Sequence, residues 1–484
     1  GPSPSPSISR SKPVDALLDR ENALIQKVLT VEFLNKGTYM LRSLPRIVLF
    51  GIVLLGLGAS LAQAAQKTLH INIYGPGQSK LNVYLAPPRS LEGDQSEAAP
   101  RLVRELYAAV RENLEFLPFM RQMEKEGILG GAQMKGVKAG DIDFKRFSMS
   151  KADMLFTLGW SKQTGGQSQV ELRSFEVYSQ KLFVGRGYVL TGQEQAYEAA
   201  NRFCAELMDK ISGRSGFFRS RLAYVRKQNK VKEIATCTPQ GRRARQITDF
   251  GKVCLSPAWS WDGTALAFTY VNDERHELKL WSRASDRIQS VLLPGNTIIS
   301  PAFRTDGSLV ISVDPRGNPD IYTLDQDMQL KEPIVENWAI DISPHFDRQG
   351  KYMVFVSSRL GNPHIFRMDL QSREVERISF EGTYNTNPAI SPDGRFVAYS
   401  RLTEEGHRIV VYDAKTGRKR LLTSGPGDDE DPAWGPDSYF LAFSSNRSGS
   451  YRLYMTTRHG DEPRKVDTGP GEATSPAWSP KGVQ

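Results

Sequence analysis

Cysteine and histidine are scarce in this chain of 484 residues, which limits the chemistry that it can carry out. Its three cysteines cannot all pair within one chain, and their spacing matches no zinc or redox pattern. None of its six histidines belongs to a metal-binding pair such as His-Glu-x-x-His. The Gly-x-Ser-x-Gly turn of serine hydrolases and the lysine-bearing phosphate loop are also missing from the sequence. We therefore expect a protein that is not an enzyme and that needs no cofactor or metal ion.

Long apolar runs are absent except for one near the N-terminus. Residues 40–64 combine Arg42 and Arg46 with the apolar run Ile47–Leu61 and the small-residue site Ala62–Ala64. This pattern predicts a cleaved signal peptide. The run is shorter than the ~20 residues that cross a bilayer as a helix, so no stable membrane span is expected after processing. Residues 1–39 contain no methionine and are expected to be a non-native or disordered upstream segment.

The composition is that of a folded protein with more than one domain. Hydrophobic residues make up 39% of the chain and charged residues 24%. A chain of this length is expected to form two or more domains. The net charge is +9, and basic side chains are concentrated between Arg214 and Arg245. This charge is compatible with nucleic acid, with an anionic membrane surface, or with a well-solvated basic protein.

A short motif recurs six times in the C-terminal half, and its prolines are 43 or 44 residues apart. The six copies are Ser256–Trp259, Ser300–Phe303, Ser343–Phe346, Asn387–Ile390, Asp431–Trp434 and Ser475–Trp478. Several copies are followed by an Asp-Gly pair, such as Asp262-Gly263, which favours a hairpin turn with positive φ at both central positions. Alternating apolar segments then predict three more strands. Four short strands in about 44 residues is the length of one β-propeller blade.

The ends of the repeat predict the number of blades. Five complete units lie between the first and last copies of the motif. Strands near Leu222–Val225, Val231–Ala235 and Gln246–Thr248 have no motif of their own, whereas the last copy has no strands after it. We therefore expect a six-bladed propeller over residues 214–484, in which the C-terminal strand closes the ring against the first blade.

Residues 65–213 are expected to form an α+β domain in the order β, β, α, β, β, β, α. One amphipathic helix carries Leu102, Leu106, Val110 and Leu114 and is expected to end near Pro118. The other has Thr191 as its predicted N-cap and Gly213 after its end. The five predicted strands are Thr68–Tyr74, Leu81–Leu85, Met154–Leu158, Val170–Phe175 and Leu182–Val189.

The signal peptide, the mixed domain, the junction Gly213–Val225 and the propeller repeats together resemble the TolB family. The resemblance covers residues 65 to 484. It implies a periplasmic component of the Tol-Pal system that supports outer-membrane integrity and envelope constriction during cell division. The implied partners are the lipoprotein Pal, bound at the mouth of the propeller, TolA, bound by the start of the mature chain, and other outer-membrane proteins. No nucleic-acid partner is expected.

Candidate partner-binding residues follow from the blade pattern and from this resemblance. Connections from each fourth strand to the next motif open on one face, together with the loops between second and third strands. The expected Pal-binding residues in the connections and the motif starts are Asn296, Trp338, Asp341, Ile342, Ser343, Tyr384, Asn385, Asp428, Asp429 and Glu430. The loops on the same face carry Arg316, Asn318, Arg359, Asn362 and Arg447. The segment in the TolA-binding position consists of Gln66, Lys67, Thr68, Leu69, His70, Ile71, Asn72 and Ile73.

Two other classes of protein remain open at this point. One is a relative of propeller-containing hydrolases or peptidases that lacks its catalytic domain, and the other is a periplasmic propeller that binds a small ligand or glycan. The acidic segment Asp428–Asp431 is a weak calcium candidate, because it lacks the alternating ligand spacing of a calcium loop.

Overall fold

The computed structural model describes residues 80–92, 98–131, 134–480 and 482. The chain divides into two units, residues 1–70 and 71–484, and every described residue belongs to the second. The predicted upstream segment, signal peptide, TolA-binding segment and first strand all lie outside the described residues. Within the described part, no helix is both long and apolar enough to cross a membrane.

A mixed sheet of six strands forms the first part of the described chain. Its strands are β1 (Leu81–Leu85), β2 (Arg89–Ser90), β3 (Met120–Gln122), β4 (Met154–Lys162), β5 (Ser168–Glu176) and β6 (Lys181–Leu190). The order is β3-β1-β4-β5-β6, with β2 beside β4. Strand β1 runs parallel to β3 and β4, whereas β4, β5 and β6 are antiparallel. The predicted strands in the described region are confirmed, and β2 and β3 were missed because two or three residues show no alternation.

Two long helices pack on this sheet, and their ends follow from local sequence. The helices are α1 (Arg101–Phe116), α2 (Phe144–Met149) and α3 (Gln193–Ser212), and the short 3-10 turns are Lys125–Gly127, Ala139–Asp141, Thr164–Gly166 and Phe217–Arg219. Helix α1 ends just before Pro118, as predicted. The predicted N-cap Thr191 is wrong by one residue, because Gly192 is still extended and caps α3. Gly213 ends α3 with φ 68° and donates its N–H to the Asp209 carbonyl at 2.7 Å.

The remaining strands form six blades, each of four strands that pair antiparallel with one another, numbered here from the innermost strand outward; one parallel pair, Val253 with Lys232, also joins blades 1 and 2. Blade 1 consists of β30 (Glu472–Trp478), β7 (Leu222–Gln228), β8 (Val231–Cys237) and β9 (Arg245–Gln246). Blades 2 and 3 consist of β10 (Val253–Trp259), β11 (Ala265–Val271), β12 (His276–Ser282), β13 (Arg287–Val291), β14 (Ile298–Phe303), β15 (Leu309–Val313), β16 (Asp320–Leu324) and β17 (Leu330–Val335). Blades 4 to 6 consist of β18 (Asp341–Phe346), β19 (Tyr352–Ser357), β20 (His364–Asp369), β21 (Val375–Arg377), β22 (Asn385–Ile390), β23 (Phe396–Thr403), β24 (Gly406–Asp413), β25 (Lys419–Leu421), β26 (Asp429–Trp434), β27 (Phe440–Ser445), β28 (Arg452–Thr457) and β29 (Arg464–Lys465).

The C-terminal strand closes the ring, as the sequence predicted. Strand β30 pairs antiparallel with β7, from Glu472 opposite Lys227 to Trp478 opposite Leu222. The indole N–H of Trp478 also donates to the Ser220 hydroxyl at 2.6 Å. The first blade therefore takes its innermost strand from the other end of the chain.

The Asp-Gly turns differ from the predicted hairpin type. Only the glycine has positive φ, which is 72° at Gly263. Its N–H donates to the Ser260 carbonyl at 2.9 Å, so the turn closes over four residues. The Asp262 carboxylate accepts the Thr264 N–H at 3.0 Å, which holds the turn from the side chain. The prediction of positive φ at both central positions is therefore wrong.

Each innermost strand has a β-bulge at its motif. The pairing register shifts there in every blade. The motif proline lies at the bulge, where its missing N–H removes no ladder hydrogen bond. The residue before each proline has φ between 51° and 57°; these six residues, called the channel ring below, are Ser256, Ser300, Ser343, Asn387, Asp431 and Ser475.

Part of the basic run between residues 214 and 245 joins the propeller to the N-terminal helices. Arg242 forms an ion pair with Glu112 of α1, and Arg243 forms one with Glu194 of α3. These two positive charges are therefore neutralised within the molecule and add little to an external basic surface.

Candidate protein-binding face of the propeller

The connections and loops that were expected to share one face do so. Asp341 at the start of β18 pairs with Ser357 at the end of β19, and Asp429 at the start of β26 pairs with Ser445 at the end of β27. The segment leading into each first strand therefore lies beside the loop that follows the second strand. We call this side of the propeller the mouth face.

Large apolar side chains are exposed on the mouth face of blades 4 and 5. Trp338 is 74% exposed, Leu360 58% and Tyr384 44%, and Ile340 and Leu402 are exposed to a similar extent as Tyr384. These five residues are called the mouth patch. Several large apolar side chains exposed on one face are typical of a surface that contacts another protein.

Hydrogen bonds hold the loop that carries Trp338 in place. The Asn318 side chain donates to the Trp338 carbonyl at 2.7 Å. The Ile340 N–H donates to the Ser358 hydroxyl at 3.0 Å, and the Ser358 N–H returns a bond to the Ile340 carbonyl at 3.0 Å. The loop is therefore ordered before any partner arrives, which lowers the entropy cost of binding.

Blade 6 anchors its first strand with a buried ion pair. The Arg447 guanidinium donates to both carboxylate oxygens of Asp429 at 2.8 Å. The same guanidinium lies over the rings of Phe443 and Tyr454, and its Nε donates to Ser445 at 3.0 Å. The pair fixes the start of β26 to the adjacent loop.

Blade 4 repeats this arrangement with longer bonds. Arg359 donates to the two oxygens of Asp341 at 3.2 and 3.4 Å and lies over Phe355 and Phe366. Burial raises the pKa of Asp341, and the Ser357 hydroxyl and Arg359 oppose that rise. Nearby, burial, with Asp341 and Glu336 adding to it, raises the pKa of the Asp320 carboxyl to about 6.

A polar group lies beside the mouth patch, between blades 5 and 6. The His407 N–H donates to the Asp428 carboxylate at 2.8 Å, and this bond is the main reason that the pKa of Asp428 is lowered. The Tyr451 hydroxyl donates to Glu430 at 2.7 Å. The ring of His407 lies edge-on to that of Tyr384, 6.3 Å away between centroids. Acidic groups therefore border the apolar patch.

The structure divides the predicted face residues into three groups. Asn296, Trp338 and Tyr384 are exposed on the mouth face, as predicted. Ile342, Ser343, Asp428 and Glu430 are half-buried. Asp341, Asn385 and Asp429 are fully buried and cannot meet a partner directly. Among the loop residues, Arg316, Asn318 and Asn362 are exposed, whereas Arg359 and Arg447 are half-buried.

Three members of the mouth patch were missed in the sequence. They are Ile340, Leu360 and Leu402. Leu402 lies within β23 and gave no signal of its exposure, whereas for Leu360 the available signal was an isolated large apolar residue in a turn segment, between Arg359 and Gly361. An apolar residue there has no place in a blade core and is left in solvent.

The six motifs surround a central cavity of about 210 Å³, lined first by the channel ring and then by the proline, alanine and aromatic positions. Ser300 and Ser343 of the ring lie 3.4 Å apart between hydroxyl oxygens. Asn387 donates to the Asp431 carboxylate at 2.7 Å. Deeper in the cavity, burial lowers the pKa of His345 to about 4.

Comparison with known proteins identifies the family that has this architecture. The family model described as the TolB beta propeller domain matches residues 208–482. This chain belongs to the TolB family. It is 41% identical to the Tol-Pal system protein TolB of Nitratidesulfovibrio vulgaris over 298 residues, which cover 61% of this chain and 67% of that protein. The Protein TolB homolog of Chlorobium luteolum is 30% identical over 60% of this chain, which spans 64% of that relative.

The arrangement of most of the chain also matches a solved TolB structure. The crystal structure of TolB from Acinetobacter baumannii aligns with a TM-score of 0.72, covering 84% of this chain and 98% of that one. Sequence identity in that alignment is 21%, so the likeness concerns the fold. It confirms the α+β domain followed by a six-bladed propeller; the domain limits 65–213 and 214–484 stay predictions.

Proposed function

We propose that this TolB-family protein is a non-catalytic, periplasmic component of the Tol-Pal system. It binds Pal through the mouth patch and TolA through residues 66–73, and so supports outer-membrane integrity and envelope constriction during division. The name of the Nitratidesulfovibrio relative, a Tol-Pal system protein, supports the assignment to that system. The exposed Trp338 on an ordered loop is the observation that carries the binding site.

Trp338 and Tyr384 have the features of binding hot spots. Tryptophan and tyrosine are enriched among the residues whose truncation weakens protein interfaces most. Polar groups at Asp428 and Glu430 border them, which gives the patch the apolar centre and polar rim of a protein interface.

The test is calorimetry with purified Pal. Trp338→Ala and Tyr384→Ala should each weaken binding by about 2 kcal/mol or more, which is roughly thirtyfold. Tyr178→Ala is the matched control, because Tyr178 is an equally exposed aromatic residue in the N-terminal domain. If Pal binds all four proteins equally, the mouth patch is not the site. If Pal does not bind the unaltered protein, the proposed function is wrong.

Asp429 is among the Pal-binding residues expected from the sequence, but its charge reversal is unsuitable as a binding test because the side chain is buried in an ion pair. Glu430→Lys and Asp428→Lys test the polar border instead, since both residues are half-buried beside the patch. Each should weaken Pal binding without a large loss of thermal stability.

Two further measurements test the remaining parts of the proposal. Deletion of residues 66–73 should abolish TolA binding and leave Pal binding intact. Mass spectrometry of the protein recovered from the periplasm should show an N-terminus at or next to Ala65; retention of the run Ile47–Leu61 would contradict processing at this site.

A further inference from the structure

Asp431 is the one carboxylate in the channel ring, whose other members are serines and an asparagine. One of its oxygens accepts the Asn387 amide at 2.7 Å. The other accepts the hydroxyls of Ser444 and Ser475, at 3.0 and 3.1 Å. The Ser475 backbone N–H donates to the same oxygen at 3.2 Å. All of these donors are neutral, and among the described residues no lysine or arginine lies within ion-pair distance of Asp431.

A charge in this position is unfavourable for the protein alone. Burial raises the pKa of the Asp431 carboxyl, which means that the folded protein disfavours its ionised form. An asparagine, as in blade 5, or a serine, as in the other four blades, would fill the same ring position without that cost. Asp431 is half-buried at the cavity, and among the described residues the positive charge that opposes the rise in its pKa is Lys232, whose influence is the smallest of those that act on it. A carboxylate on a cavity wall without a cation in contact is a candidate for a functional group.

The position of Asp431 limits what can reach it from outside. It lies two residues into β26 from the mouth face, which is a depth of about 7 Å. The cavity is lined by the motif prolines, among them Pro388 and Pro476 of the two neighbouring blades. Lysine and arginine have a long apolar stem that can lie along such walls and a charged end that can form the missing ion pair.

We propose that a lysine or arginine side chain of the bound partner enters the mouth of the channel and pairs with Asp431. This inference rests on the proposed binding of Pal at the mouth face. It adds a cationic anchor inside the channel to the apolar contacts of the mouth patch.

The test compares two half-buried carboxylates at opposite ends of blade 6. Asp437 lies in the first turn of blade 6, away from the mouth, and burial raises its pKa as well. Asp431→Asn and Asp437→Asn should both retain or raise the thermal midpoint at pH 7. Calorimetry with Pal in EDTA should show a loss of affinity of at least about tenfold for Asp431→Asn and no change for Asp437→Asn. If Asp431→Asn proves unstable, Asp431→Ser gives the residue of four other blades and should show the same loss.

The partner side of the pair is found by replacing each exposed lysine and arginine of Pal with glutamine. One replacement should weaken binding to the unaltered protein and have no further effect on binding to Asp431→Asn. Equal affinity of Pal for the unaltered protein and Asp431→Asn would overturn the inference and leave the mouth patch in place. An effect seen with calcium chloride and absent in EDTA would also overturn it, since a metal ion would then supply the charge. If Pal does not bind the unaltered protein, the proposed function and this inference fall together.

Discussion

Removal of Arg447 should leave Asp429 as an unpaired charge inside the first strand of blade 6. The Asp429 side chain is 1% exposed and that of Arg447 is 16% exposed, so water cannot replace the lost partner. Both carboxylate oxygens accept from the guanidinium at 2.8 Å. Replacement by methionine keeps the bulk that covers Phe443 and Tyr454 and removes the charge.

The size of the effect follows from the burial of the pair. Breaking a buried ion pair by removing one partner costs about 3 to 5 kcal/mol. For a protein of this size, 1 kcal/mol shifts the thermal midpoint by about 2 to 4 °C. Arg447→Met should therefore lower the midpoint by roughly 6 to 20 °C. The double variant Asp429→Asn, Arg447→Met should recover most of this loss, because no buried charge remains.

Thermal unfolding followed by circular dichroism tests this reasoning, with Arg359→Met as the internal comparison. Its bonds to Asp341 are longer, and its side chain is 25% exposed, so its loss should be smaller. If the double variant unfolds as early as Arg447→Met, the unpaired charge is not the cause of the instability. An unchanged midpoint in Arg447→Met would show that the pair does not stabilise the blade.

Three other outcomes are expected. Because burial raises the pKa of Asp320 to about 6, ionisation of this carboxyl destabilises the folded state as pH rises from about 4 to 6. Asp320→Asn should therefore raise the thermal midpoint at pH 7 and flatten its pH dependence in that window. Deletion of residues 472–484 removes the strand that closes blade 1 and should lower the midpoint by at least about 10 °C, whereas an unchanged melting curve would contradict closure. Peptide mapping without reduction should recover Cys237 and Cys254 unlinked, because Val253 pairs with Lys232, roughly 17 Å along β8 from Cys237, beyond the reach of a disulfide.

The fold was predictable because its signals are periodic and local. The motif prolines recur at 43 or 44 residues, and each marks the bulge of an innermost strand. The alternating run Leu266–Phe268 lies within β11, and the last motif pairs with β7. The errors were also local, as at Thr191, where the extended Gly192 moved the start of α3 by one residue.

The site was less predictable because exposure depends on distant partners. The sequence places Asp341 and Asp429 in segments that connect blades, and connecting segments are usually exposed. The structure places both inside the first strand, where an arginine from the following loop lies over two aromatic rings and holds the carboxylate. Each arginine lies in the loop after the second strand, whereas its aspartate begins the first strand, so the sequence alone does not reveal that the two side chains pair.

Asp429 and Asp431 show how two like residues on one strand can have opposite roles. Asp429 forms an ion pair with Arg447 of the same blade, so removal of Arg447 is expected to lower the stability of the fold. Asp431 is in contact with hydroxyl and amide donors but with no cation, and burial disfavours its ionised form despite the opposing influence of Lys232. Neutralising Asp431 should therefore leave the fold at least as stable and weaken the partner, whereas removing the arginine from Asp429 should weaken the fold. The two residues are two positions apart in β26, so a general disturbance of the strand would lower both thermal stability and partner binding in both variants. Loss of binding alone in one variant and loss of stability in the other would separate a binding charge from a structural one.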